Sequence, residues 1–176
     1  MVEKNLRFLT LIRHAKSSWD NPRFDDRERP LAPRGLRDAP LVARHNKELL
    51  QSVEKFYCSS AKRAQLTLDE MAYAADLDNS RFHCTNELYT FDSSDLLAFL
   101  SRLPDSQFSI ALIGHNPAFT QLTNRLTATN LDNIPTAGIV RIRLVIDSWQ
   151  SIDEGQAKLV YYTCPKNYRS LDKGKK

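Results

Sequence analysis

Five apolar runs rich in β-branched and aromatic residues punctuate the chain: Leu6 to Ile12, Val53 to Cys58, Phe108 to Ile113, Ile139 to Ile146 and Ala157 to Thr163. These are predicted strands. Longer segments with helical spacing lie between them, at Leu36 to Leu50, Ala61 to Ala75, Ser94 to Leu103 and Pro117 to Leu126. A short strand is also expected at Phe82 to Thr85. Alternation of strands with helices predicts an α/β fold, a three-layer α/β/α sandwich with helices on both faces of a mostly parallel sheet. The last two strands are separated by the turn signal Asp153-Glu154-Gly155, so they are expected to form an antiparallel hairpin and make the sheet mixed. Ser17 to Pro33 is polar, charged and aperiodic. It reads as one long loop after the first strand, and loops of that length inside compact domains are either functional or mobile.

A chain of 176 residues, 41% hydrophobic and 26% charged, suits one soluble domain that buries its own core. That domain is expected over residues 1–164, with a basic, solvated tail over 165–176. No stretch has the roughly 18 apolar residues of a membrane span, and Phe8 to Ile12 is too short for a signal-peptide core. An intracellular, cytoplasmic protein is expected. The formal charge of +4 does not indicate nucleic acid. Residues 165–176 carry Lys166, Arg169, Lys173, Lys175 and Lys176 against Asp172, a surplus equal to the charge of the whole chain, so the body is neutral. Cys58, Cys84 and Cys164 are odd in number and widely spaced, which suggests buried free thiols rather than a disulfide framework or a zinc site.

Three strand ends carry the chemistry. Leu11-Ile12-Arg13-His14 ends an apolar strand in a guanidinium and an imidazole. Tyr57-Cys58-Ser59-Ser60-Ala61-Lys62-Arg63 runs a strand into a serine suited to cap the next helix, with Arg63 in its first turn. Ile113-Gly114-His115-Asn116-Pro117 places an imidazole before a good N-cap and a proline fit for the first helical position. Ligands of open α/β sheets bind outside the carboxyl ends of the strands, so Arg13, His14, Arg63 and His115 are expected to converge there. With the helix N-termini, that set suits a tetrahedral oxyanion such as phosphate. A metal on the two imidazoles, with Asp20, Asp25, Asp26 or Glu87, is the competing use. The neighbouring guanidiniums would repel a cation and match phosphoryl oxygens. His45 and His83 are read as structural or exposed.

Leu11-Ile12-Arg13-His14-Ala15 resembles the Arg-His-Gly signature of the histidine phosphatase superfamily, the phosphoglycerate-mutase-like fold, with Ala15 at the usual glycine. Arg29-Pro30-Leu31 with Gly35, then Ser59 to Thr67, then Gly114-His115-Asn116-Pro117, are similar to later family landmarks in the same order. The string from Arg13 to Trp19, and Pro135-Thr136-Ala137-Gly138 leading into a strand, look like the bacterial phosphohistidine phosphatase branch.

The resemblance implies that His14 is a nucleophile that becomes transiently phosphorylated, that Arg13, Arg63 and His115 hold the phosphoryl oxygens, and that no cofactor is needed. Surrounding cations should disfavour the imidazolium of His14 and keep it nucleophilic. Glu87 sits where many members carry a proton donor. Its alternative is an exposed carboxylate or an arginine's salt-bridge partner, and Asp20, Asp25 and Asp26 remain further candidates. A poorly placed acid would favour P–N over P–O substrates, because imidazole leaves with less help than an alkoxide. Glu87 to Phe108 leaves room for little beyond one helix, so the pocket is expected to be open. That suits a phosphorylated protein as partner, a phosphotransfer domain or phosphocarrier in bacterial signalling or sugar uptake, or a small phosphorylated substrate. No nucleic-acid or membrane partner is expected. A small-molecule phosphomonoesterase or mutase-like enzyme, and a catalytically silent phospho-binding module, are the alternatives.

Overall fold

The computed structural model describes residues 6–153 and 156–172. Among them one sheet is formed by β1 (Leu6–Arg13), β2 (Lys55–Ser59), β3 (Phe82–Thr85), β4 (Ser109–Gly114), β5 (Ile139–Val145) and β6 (Gln156–Thr163). The helices are α1 (Pro33–His45), α2 (Lys47–Gln51), α3 (Lys62–Ala75), α4 (Ser93–Leu100), α5 (Ala118–Thr127) and the short α6 (Arg169–Asp172). The strand order is β3-β2-β4-β1-β5-β6. All neighbours from β3 to β1 pair parallel, while β5 pairs antiparallel with both β1 and β6 and so alone runs against the rest.

The period-two alternation of strand side chains divides the core. Ile12, Phe56, Cys58, Ala111, Ile113 and Ile139 face α1 and α3 on one side. Leu9, Leu11, Tyr57, Ile110, Leu112 and Val140 face α4 and α5 on the other. Central β4 is buried at every position, as a parallel strand covered on both faces must be. The three-layer mixed sandwich is therefore the observed architecture.

Several local expectations change. The helix predicted over Leu36 to Leu50 breaks at Asn46 into α1 and α2. Buried Asn46 donates from Nδ2 to the Val42 carbonyl (2.7 Å) and accepts from the Tyr161 hydroxyl (2.6 Å), and such side-chain bonds compete with the helical ladder. The last two strands do pair antiparallel, but the connection is longer than a turn. It carries Trp149, wholly buried with its indole N–H on the Gln107 carbonyl at 2.8 Å. The expected turn at Asp153-Glu154-Gly155 lies, beyond Asp153, outside the described residues. The start of the basic tail is packed rather than solvated: the Tyr168 hydroxyl accepts from Asn46, and Arg169 donates to buried Asp38 at 2.7 Å. Lys173, Lys175 and Lys176 lie outside the described residues. Cys58 and Cys164 are buried free thiols, whereas Cys84 is exposed because β3 is an edge strand. Among the described residues no helix is long and apolar enough to cross a membrane.

One close approach bears on the site. A Cβ at Gly35 in the first turn of α1 would lie 2.3 Å from the Lys16 carbonyl oxygen. Only glycine lets α1 seat against the backbone two residues past His14.

Candidate active site

Strand order makes the site. β4 lies between β1 and β2, and Arg13 pairs in register with Gly114. His14 and His115 therefore leave adjacent parallel strands at the same edge, with ring centroids 5.2 Å apart. β2, on the other side of β4, delivers Ser59 and then Arg63 at the start of α3. Arg63 is 2% exposed, and its Nη2 lies 3.4 Å from His115 Nδ1.

The hydrogen bonds fix both imidazoles. His14 Nδ1 lies 2.7 Å from the Ala15 carbonyl oxygen, which can only accept, so Nδ1 carries the proton and Nε2 keeps its lone pair. Nε2 has no protein partner and is not sealed from solvent. His115 has the opposite tautomer. Arg63 donates to its Nδ1, and its Nε2–H donates to Ser59 Oγ at 2.7 Å. Arg13 donates from Nη1 to the Ile134 carbonyl (2.7 Å) and Asn133 Oδ1 (3.2 Å), and its charge is felt by both imidazoles. Burial, above all, pushes the pKa of His14 down to about 3, with Arg63, Arg13 and Arg29 adding to the shift. Burial, then His14 and Arg63, push that of His115 down to about 3. The cations predicted to keep His14 neutral act in the expected direction, but burial is the larger cause.

A pocket of neutral imidazoles and fixed guanidiniums can receive a tetrahedral oxyanion and offer it a nitrogen nucleophile. Residues 9–88 match the family profile described as "Histidine phosphatase superfamily (branch 1)". An uncharacterized protein of Mycobacterium tuberculosis is 30% identical over 165 residues, covering 88% of this chain and 100% of that protein. The chain belongs to the histidine phosphatase superfamily. Its fold recurs in solved structures. The putative phosphohistidine phosphatase SixA from Nakamurella multipartitia is 22% identical, with a TM-score of 0.77 over 91% of this chain and 96% of that one. A protein histidine phosphatase SixA complexed with tungstate is 23% identical, with a TM-score of 0.75 over 91% and 98%.

The superfamily's usual glycine is replaced by Ala15 without disturbance. Its backbone N–H donates to Thr67 Oγ1 at 2.9 Å and its carbonyl holds His14. Of the predicted site residues, Arg13, His14, Arg63 and His115 come together and Glu87 does not. Glu87 is exposed and paired with Arg102, just past the C-terminal end of α4. Asp26, grouped with Asp20 and Asp25 as a possible acid, is instead an ionised partner of arginines. Its carboxyl is held well below the usual carboxylate range, against a desolvation that alone would raise it, by hydrogen bonds from Tyr89, Arg29 and Arg63. The two helix caps also differ from expectation. Ala61 and Pro117 occupy the cap positions, Ser60 Oγ has no partner, and Ser59 Oγ accepts from the Ala61 N–H while holding His115. Asn116 ties the site to its far wall, donating to Asn133 Oδ1 at 2.7 Å.

Sequence reasoning missed Tyr89, Phe91 and Asn133 altogether. The rings of Tyr89 and Phe91 lie 5.5 and 5.4 Å from that of His115. None has a spacing signal, because each arrives on a loop. Arg29 and Ser59 were visible only as parts of family landmarks. Arg29 is buried, donating to Ser17 Oγ at 2.7 Å and lying 3.6 Å beneath the exposed Trp19 ring.

Proposed function

We propose that the protein is a phosphatase that takes a phosphoryl group onto His14 Nε2 and releases it to water, with phosphohistidine on a partner protein as its substrate. The observation that carries this reading is the pinned His14 tautomer: Nδ1–H is spent on the Ala15 carbonyl, so Nε2 presents a free lone pair beside Arg13 and His115. In the first step the P–N bond to the leaving imidazole breaks as P–Nε2 forms. The leaving ring, protonated on its other nitrogen, departs neutral. In the second step water attacks phosphorus, Nε2 regains its lone pair, and the water's proton passes to phosphate or solvent. Arg13, Arg63 and the His115 dipole stabilise the charge spread over the three phosphoryl oxygens.

The carboxylates favour a P–N substrate. Glu87 is committed to Arg102 and Asp26 to two arginines, which leaves an alkoxide leaving group without a ready acid. The tungstate bound by a fold relative is itself a tetrahedral oxyanion.

Incubation with a phosphohistidine donor followed by quenching should leave an acid-labile, alkali-stable phosphoryl group on His14 alone. His14→Ala should abolish both labelling and turnover with its circular dichroism unchanged, and surviving hydrolysis removes His14 as nucleophile. Free phosphohistidine should be turned over faster than simple phosphomonoesters, and equal rates count against the P–N preference.

A further inference from the structure

Asp26 lies on the 3-10 turn Asp26–Glu28 of the long loop after β1, on none of the strand ends that build the site. Its carboxylate Oδ2 accepts from Arg63 Nη2 at 2.9 Å and from the Tyr89 hydroxyl at 2.6 Å. Its Oδ1 accepts from Arg29 Nε at 3.1 Å and Nη2 at 2.9 Å, and its backbone carbonyl accepts from Arg63 Nη1. One residue thus grips both terminal nitrogens of Arg63 from one edge of the guanidinium. The other edge, Nε with Nη2, is left without a carboxylate, and its Nη2 is the atom that reaches His115 Nδ1.

A planar guanidinium has a limited number of edges, and holding one fixes where the others point. We propose that Asp26 is a positioning residue, which seats Arg63 by its outer edge and so turns the inner edge toward the place of the transferring phosphoryl group. The proposal rests on the phosphatase reading of the site. Asp26 is held in turn by Arg29, which hooks the end of the loop to its beginning through Ser17 and through the Ser18 carbonyl. Tyr89 approaches from the opposite wall, its ring covered by Arg27 at 4.5 Å. Arg29, Arg63 and Tyr89 are the groups that face this carboxylate.

Acting through another residue makes a signature that general destabilisation does not. Loosening a charged group by about 1 Å at a reacting centre costs up to roughly 100-fold in rate. Turnover of phosphohistidine should therefore fall about 10- to 100-fold in kcat on Asp26→Ala, with KM moving less than about threefold, and Asp26→Asn should fall between. In an Arg63→Ala background, Asp26→Ala should cost nothing further. Equal, multiplicative losses in the two backgrounds overturn the proposal, as does a gain in activity, which would make the carboxylate a competitor of the substrate. A second measurement does not need turnover. The Arg63 Nε–H resonance, assigned by its loss in Arg63→Lys, should be sharp in the wild type and exchange-broadened in Asp26→Ala. An unchanged signal also overturns the proposal. A wild type that turns over no phosphorylated substrate removes the proposed function, while the resonance still decides the positioning.

Discussion

At His14 and His115 the protons sit on opposite nitrogens, each dictated by a neighbour that can only accept or only donate. Both rings are neutral far into the acid range, because burial and then cations hold their pKa values at about 3. The rate of His14 phosphorylation should therefore show no acid limb near pH 6.5, the ordinary imidazole value. Rapid-quench rates between pH 5 and 8 would check this, and a rate that falls as the pH drops below 6.5 would contradict it. A phosphoryl dianion in the pocket reverses the balance for His115, since an adjacent negative charge favours the imidazolium. Its pKa should rise on binding inorganic phosphate, as read from the His115 ring signals in NMR titrations with and without the anion. The sequence exposed the identity of these residues because each closes an apolar run. It did not expose their burial, which is created by packing of the loop, α3 and the Tyr89 turn from three distant segments. Asp26 was hidden for the same reason: beside Asp25 in a charged loop, nothing local distinguishes the carboxylate that meets Arg63 from the one that does not.

Elements are placed by contacts at their ends as much as by their apolar faces. Gly35 allows α1 to touch the Lys16 backbone, where a Cβ would meet a carbonyl oxygen at 2.3 Å. Backbone cannot rotate away as a side chain can, so Gly35→Ala should lower stability by about 1–3 kcal/mol and slow His14 phosphorylation by displacing Lys16. Denaturant unfolding together with the quench assay would check both effects. At the other end of the scale, α5 closes on exposed Ala128 with φ 52° and ψ 30°, a left-handed position without the residue that suits it. Ala128→Gly should stabilise by about 0.5–1 kcal/mol, a rise in the urea midpoint with activity unchanged. The existence of the long helices and of every strand was legible from periodicity. The break at Asn46 was not, because it depends on Tyr161 and Tyr168, more than a hundred residues away, and neither alters the local pattern.

For the whole molecule, the sheet order puts β4 between β1 and β2 and so gathers three strand ends into one pocket, and this order is what a list of strands cannot supply. The same gathering sets how stability depends on pH. An unfolded chain protonates His14 and His115 near pH 6.5, while the folded protein resists until about pH 3. Between those values the unfolded state binds more protons, so stability must fall as pH falls, by up to about 1.4 kcal/mol per pH unit for each imidazole. Asp26 has the same sign in a lower window: its carboxyl lies below the usual range when folded, so the stability it contributes is present above pH 4 and is lost only in stronger acid. From pH 7 to pH 5 Asp26 stays ionised in both states, so the slope over that interval comes from the two imidazoles and not from it. The urea midpoint of the wild type should drop across that interval, and His115→Asn should roughly halve the slope while leaving the midpoint at pH 5 less depressed relative to pH 7. A wild-type midpoint that is flat from pH 7 to 5 would mean that the imidazoles protonate in place, and that the pocket is wetter than its packing indicates.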